Sequence, residues 1–242
     1  MEERKAKMIS VCMATYNGEK YIEEQLASIL SQLSFEDEFL ISDDGSTDNT
    51  LHIIQQFQNK YPQIRILNGP KKGVIANFDY CLSQSKGDFI FLADQDDVWH
   101  ADKVSKIIAL FKQQPHTKLI LSDLAIVDQN LQTVIPSYFA YKNVKTGTLN
   151  NIIRNRYIGA GMAFRADLKQ EILPIPKNVP MHDMFIGIMA EPNVTLLPEV
   201  LTDYRRHEEN ASQLQTKSSK VQQLKWRINL ICAIILKKFI RK

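Results

Sequence analysis

Four short apolar stretches, each ending in a polar turn and separated by helix-forming segments, constrain this chain more than any other feature. Met8–Ala14, Glu38–Ser42, Ile64–Leu67 and Phe89–Ala93 read as buried strands, bounded by turn residues. Residues 19–32 place Ile22, Leu26, Ile29 and Leu30 at helical spacing, and Leu51, Ile54 and Phe57 share a second helical face that Ser46 or Thr47 would cap. A third helix is expected over about 74–85. This alternation predicts an α/β fold, a Rossmann-like, mostly parallel sheet flanked by helices, because parallel neighbours need a long crossover.

Ligands of such sheets bind beyond the carboxyl ends of the strands. Thr15-Tyr16-Asn17-Gly18, Asp43 to Asp48 and Asp94 to Asp97 all fall there. The last turn sets three carboxylates in four positions at the end of a dry strand. Like charges this close repel and are costly unless a cation neutralises them. A divalent metal with oxygen ligands, Mn2+ or Mg2+, is the simplest remedy; an acidic surface turn that caps the next helix is the plain alternative. Three polar turns converging on one edge favour the metal. No G-x-G-x-x-G and no P-loop motif occurs among the nine glycines, which argues against dinucleotide oxidoreductases and P-loop enzymes. A diphosphate held by a metal stays open. Lys71 and Lys72 either assist it as point charges or are simply solvated.

The second half is expected to hold a helix over about 101–113, a strand at Leu119–Asp123, and irregular or hairpin-like segments to Tyr141. Gly159 to Arg165 is a small-residue turn entering a strand, where a ligand can approach the backbone or where the chain merely turns tightly. A helix opens at Pro180–Gly187 with Asp183 in its first turn, a position the helix dipole favours whether the carboxylate caps or catalyses. Leu201–His207 is a strand ending in a basic cluster, with Asn210 and Ser212 beyond. From about Lys217 a basic helix spaces Val221, Leu224, Ile228, Ile231 and Ile235 along one face. Its apolar run Leu230–Leu236 is too short to span a bilayer, so it lies on an anionic membrane face or packs on protein.

Charge is unevenly placed. The net +3 hides eight basic and no acidic residues from Asn210 onward, and 22 basic against 27 acidic before it. An acidic body argues against nucleic acid as a partner. Cys12, Cys81 and Cys232 have no ligand-like spacing, and Cys12 and Cys81, in apolar periodic segments, are expected to be buried reduced thiols. With no secretory h-region after Met1-Glu2-Glu3-Arg4-Lys5, the expected location is the cytoplasm, free or peripheral at the inner face of the cell membrane.

Thr15-Tyr16-Asn17, Asp43-Asp44-Gly45-Ser46-Thr47-Asp48 and Ala93-Asp94-Gln95-Asp96-Asp97-Val98-Trp99, in this order and spacing, resemble the family-2 glycosyltransferases of GT-A fold. Gly161-Met162-Ala163-Phe164, His182-Asp183 and Tyr204-Arg205-Arg206-His207 fall where that family has its acceptor-side motifs, and the whole is most similar to bacterial rhamnosyltransferase-type enzymes of surface polysaccharide synthesis. The resemblance implies a donor half over about 1–99, an acceptor half over 100–212 and a separate helix over 213–242. It implies a nucleotide pocket of Thr15, Tyr16, Asn17, Asp43, Asp44 and Asp96, and a metal held by Asp94, Asp96, Asp97 and His207. Gly161, Met162, His182 and Trp99 would meet the donor or acceptor sugar, and Asp183 would be the general base. His182 stands where many relatives have Glu. The implied reaction moves a sugar from a UDP- or dTDP-sugar to a saccharide or lipid-linked acceptor, with inversion. A sugar nucleotidyltransferase would show a Gly-rich, Arg-containing loop after the first strand, which Thr15 to Glu19 does not provide; a non-catalytic domain of the same fold would have lost some of the carboxylates.

Overall fold

A computed structural model of the protein describes residues 7–207 and 219–239. The expected features at residues 1–5, at Asn210 and Ser212, and at Lys217, Arg241 and Lys242 lie outside the described residues. The first half alternates as expected: β1 (Ile9–Thr15), α1 (Ile22–Leu30), β2 (Glu38–Asp43), α2 (Thr50–Lys60), β3 (Ile64–Asn68), α3 (Val74–Gln84) and β4 (Phe89–Asp94). The second half follows as β5 (Val98–Trp99), α4 (Lys103–Gln113), β6 (Leu119–Val127), β7 (Thr133–Ile135), α5 (Tyr138–Lys142) and α6 (Thr148–Ile153). It ends with β8 (Met162–Arg165), α7 (Lys169–Ile172), α8 (His182–Ala190), β9 (Val194–Arg205) and α9 (Lys220–Phe239).

One sheet runs β3-β2-β1-β4-β8-β6-β9-β5, with β7 paired to β6. The four strands of the first half are mutually parallel, whereas β8 is antiparallel to both of its neighbours. Pleating divides the core. Cys12, Leu40, Ile90 and Leu92 point to one face, and Val11, Met13, Phe39, Ile41, Phe89 and Phe91 to the other, so each central strand is buried on both sides. Register then places the site: Thr15 pairs with Asp43 and Ala14 with Asp94, which brings the three polar turns to one edge.

Two local expectations change. Ser46 and Thr47 do not cap α2, whose N-cap is Asn49 with no side-chain bond; they build the turn itself. The segment up to Tyr141 is hairpin-like as expected, a β6–β7 hairpin, and is followed by α5, whose cap is Ser137 accepting the Ala140 N–H. The strand expected at Leu201 starts earlier, at Val194. Cys12 and Cys81 are buried free thiols, and Cys232 is exposed.

Helix α9 docks on α6 and α8 through Leu230, Ala233 and Ile234, while Val221, Leu224, Ile228, Ile231, Ile235 and Leu236 stay exposed. Among the described residues no helix is long and apolar enough to cross a membrane.

Candidate active site

The three turns are locked together before any ligand arrives. Gln95 clasps the turn after β1: its Oε1 accepts the Tyr16 N–H at 2.9 Å and its Nε2 donates to the Tyr16 carbonyl at 3.1 Å. Asn17, at φ 48°, accepts the Thr47 N–H at 2.9 Å while its own N–H donates to Ser46 Oγ at 2.9 Å. Asp43 is buried beneath, accepting from Thr15 Oγ1 and from the N–H groups of Gly45 and Ser46. Asp44 instead reaches the open side, where it accepts the N–H groups of Lys71 and Gly73, both at 2.7 Å. The two carboxylates that the sequence groups together therefore part company. Asp43 holds the turn, and Asp44 lines a cleft.

That cleft, of about 1980 Å³, is bounded on one side by Thr15, Tyr16, Asn17, Asp44, Lys71, Asp94 and Asp96 and on the other by Gly159, His182 and Asp183. Trp99, Gly161 and Met162 lie buried behind its lining. So does Asp97, which is 0% exposed. Its Oδ1 accepts the Arg205 N–H at 3.0 Å and its Oδ2 has no hydrogen-bond partner. Asp96 Oδ2 lies 2.8 Å from His207 Nε2, whose ring packs 4.7 Å from that of Tyr21.

Arg205 organises this floor; the sequence placed it in the Tyr204–His207 motif without a role of its own. Its Nε donates to the Asp96 carbonyl and its Nη1 to the Gln129 carbonyl, both at 2.8 Å; it also pairs with Glu24 and stacks 4.5 Å over Tyr21. The available signal was two-residue periodicity, which puts Arg205 on the same face of β9 as the buried Leu201.

Burial, followed by the charges of Asp96 and Asp183, pushes the Asp94 carboxyl up to about 7, with Lys103 pulling back. Burial, followed by the charges of Asp96 and Asp94, holds Asp97 well above the usual carboxylate range. Asp183 sits in the first turn of α8 and accepts the Met184 N–H at 2.6 Å and the Gly159 N–H at 3.1 Å. Those bonds oppose, without cancelling, a burial effect that raises it to about 6. His182 stacks on Phe78 with ring centroids 4.1 Å apart, and neither ring nitrogen has a partner. Burial lowers it to about 3, so at neutral pH it is an uncharged imidazole with one donor and one acceptor to offer.

Among the described residues no three His, Cys, Asp or Glu side chains form a closed metal cage. Asp94, Asp96 and His207 line the same cleft and would hold a cation only together with ligands from outside the chain. Hard cations at phosphate sites take one or two carboxylates and leave the remaining positions to phosphate oxygens and water. The raised Asp94 and the orphaned Asp97 Oδ2 mark an excess of negative charge that a cation would relieve.

The family model described as glycosyl transferase family 2 matches residues 10–169. The chain belongs to that family. Among its relatives is the dTDP-rhamnosyl transferase RfbG of Shigella flexneri, 46% identical over 102 residues, which are 40% of this chain and 35% of the enzyme. An uncharacterized protein of Mycobacterium bovis is 29% identical over 207 residues, 82% of this chain and 59% of that protein. The chain thus spans only part of the length of these relatives. S. aureus TarS 1-349 in complex with UDP superimposes with a TM-score of 0.69 at 23% identity, covering 95% of this chain and 65% of that one. The mannosyltransferase PcManGT of Pyrobaculum calidifontis, in complex with GDP-Man and Mn2+, gives 0.63 at 17% identity, covering 97% and 64%. This member of glycosyl transferase family 2 therefore has the GT-A fold.

Proposed function

We propose that the protein transfers one sugar from a nucleoside diphosphate to an acceptor hydroxyl, with inversion at the anomeric carbon and Asp183 as the general base. The observation behind this reading is a single cleft with Asp94 and Asp96 on one wall and a half-buried, raised Asp183 on the other. An acceptor hydroxyl is a poor nucleophile and needs a base whose pKa is near the working pH. At about 6, Asp183 is ionised at pH 7.5 yet is a stronger base than an exposed aspartate. A single base facing the sugar opposite its leaving group gives in-line displacement and hence inversion.

Thr15, Tyr16, Asn17 and Asp44 would hold the nucleoside, and Asp94, Asp96 and His207 the cation. A bound Mn2+ or Mg2+ would offset the charge that develops on the departing diphosphate. His182 lines the same cleft and would sit beside the sugar. The likeness to the Shigella enzyme favours a dTDP-sugar such as dTDP-rhamnose, with UDP-sugars next, and a saccharide or lipid-linked acceptor in surface polysaccharide synthesis. The exposed apolar stripe of α9, flanked by Lys225 and Lys238, matches an anionic membrane surface. Gln223, Trp226 and Arg227 of the same helix also line the cleft, so that surface would lie beside the acceptor.

A panel of UDP-, dTDP- and GDP-sugars, each with Mn2+ and with EDTA, tests the donor side through release of the nucleoside diphosphate. One donor should be consumed only when the metal is present. Consumption unaffected by EDTA would contradict the assignment of Asp94 and Asp96.

A further inference from the structure

The cleft is polarised. Its donor wall carries Asp44, Asp94 and Asp96, whereas α5, the end of α6 and α9 line it with Lys142, Arg154 and Arg227 and with no carboxylate. These three cations are not scattered surface charges, because the chain ties their positions together. The Arg156 guanidinium donates through Nε to the Lys142 carbonyl at 3.1 Å and through Nη1 to the Arg154 carbonyl at 3.4 Å, joining the C-terminal ends of α5 and α6. Arg227 Nη2 donates to the Ile153 carbonyl at 2.8 Å and brings α9 to the same point.

Cations at helix ends often do no more than satisfy terminal carbonyls and the dipole. Arg156 does that here; the other three exceed it. Among the described residues Arg154 and Arg227 enter no ion pair, and Arg227 commits one N–H of its fork to Ile153. Burial, and after it the charge of Arg154, pulls the Lys142 ammonium below its ordinary value, so these two cations are close enough to repel. An anion bound between them would relieve that repulsion. Guanidinium forks match phosphate oxygens bidentately, and three converging cations suit the double charge of a phosphate better than a single carboxylate. Tyr141, its ring 4.6 Å from Lys142 Nζ, and Trp226 complete the wall. Ile153, 66% exposed, and Ile228, 51% exposed, are the chain neighbours of Arg154 and Arg227, so the cations are bordered by apolar surface.

We propose that Lys142, Arg154 and Arg227 form an anion subsite for the acceptor, binding a phosphate or diphosphate that the acceptor carries beside the sugar to be extended. This rests on the glycosyltransferase reading above and names the chemistry of its acceptor. Two sources share that chemistry: a lipid-linked sugar, whose chain would follow the exposed strip of α9, and a soluble saccharide phosphate.

The test is calorimetric titration of the protein, in EDTA, with inorganic pyrophosphate, geranyl diphosphate and geraniol. EDTA removes the cation through which the donor wall would hold a diphosphate. Both diphosphates should bind, and geranyl diphosphate at least about tenfold more tightly than geraniol, since a charge-assisted hydrogen bond is worth roughly that factor. Arg154→Gln should weaken both diphosphates about tenfold, and Arg154→Gln with Arg227→Gln about a hundredfold. Should the double variant fail to fold, Arg154→Gln decides alone, because that side chain is exposed and its loss should leave Tm unchanged. Geranyl diphosphate binding more tightly than pyrophosphate assigns the group to a lipid-linked acceptor, and equal affinity assigns it to a soluble one. No binding of either diphosphate, affinities unaltered in the folded variants, or geraniol binding as tightly as geranyl diphosphate would overturn the proposal. Failure of the glycosyltransferase reading is seen separately, as a protein that consumes no donor in the panel while still binding pyrophosphate through Arg154.

Discussion

Asp94 and His182 are half-buried and buried polar side chains whose ordinary protonation the cleft works against, in opposite senses. Asp94 is raised by burial and by neighbouring carboxylates, so removing its charge relieves repulsion. Asp94→Asn should therefore raise the Tm of the metal-free protein, by about 2–4 °C for each ~1 kcal/mol relieved, in a chain of this size. It should also abolish metal-dependent turnover. Calorimetry and donor release on one preparation check both. His182 is lowered by burial, so its unfolded form takes up a proton that the folded form refuses. Its contribution is intact above the ordinary histidine pKa of about 6.5 and is lost as pH falls from there toward 3, by roughly 1.4 kcal/mol per unit. Urea unfolding at pH 7.5 and 5.0 should show His182→Gln losing less stability on acidification than the wild type. Equal losses would show that the imidazole is protonated in the folded state.

Among the elements, strands and polar turns were legible because their signals are local. A run of Ile, Phe and Leu followed by Asp needs no partner to be recognised. What depended on pairing was not legible. Asp94-Gln95-Asp96-Asp97 does not say which carboxylate faces the ligand; the β5–β9 register, with Val98 opposite Asp203, turns Asp97 inward onto the Arg205 N–H. Helices α5 and α6, of five and six residues, are too short to show a period. Lys103 did leave a trace: it lies at i, i+4, i+8 with Ile107 and Phe111, a charge on the apolar face of α4. Helix α9 showed its amphipathic spacing, but not that a second apolar strip, Leu230, Ala233 and Ile234, would dock it on the body. The membrane proposal thus concerns the exposed strip only. Leu224→Asp with Ile228→Asp should cut co-sedimentation with phosphatidylserine vesicles by about tenfold or more, since each buried apolar side chain is worth roughly 1.5–3 kcal/mol. Their Tm should be unchanged. Retained binding would remove α9 as the contact.

Across the molecule, the donor wall comes from the parallel half of the sheet and the base from α8, joined by the turn at Gly159. Small-residue contacts set that spacing: a methyl group on Gly187 would meet the Tyr157 ring at 2.3 Å, and one on Gly161 the Ser122 carbonyl at 2.6 Å. The central claim is that this juxtaposition performs base-assisted displacement. Asp183→Asn, assayed with the donor identified in the panel, tests it most directly. Nucleotide affinity should be retained and kcat should fall about 10²–10⁴-fold. In the wild type, kcat should rise with pH through about 6 as Asp183 loses its proton, a limb that the variant should lack. A variant that transfers sugar at the wild-type rate, with the same acid limb, would contradict the account.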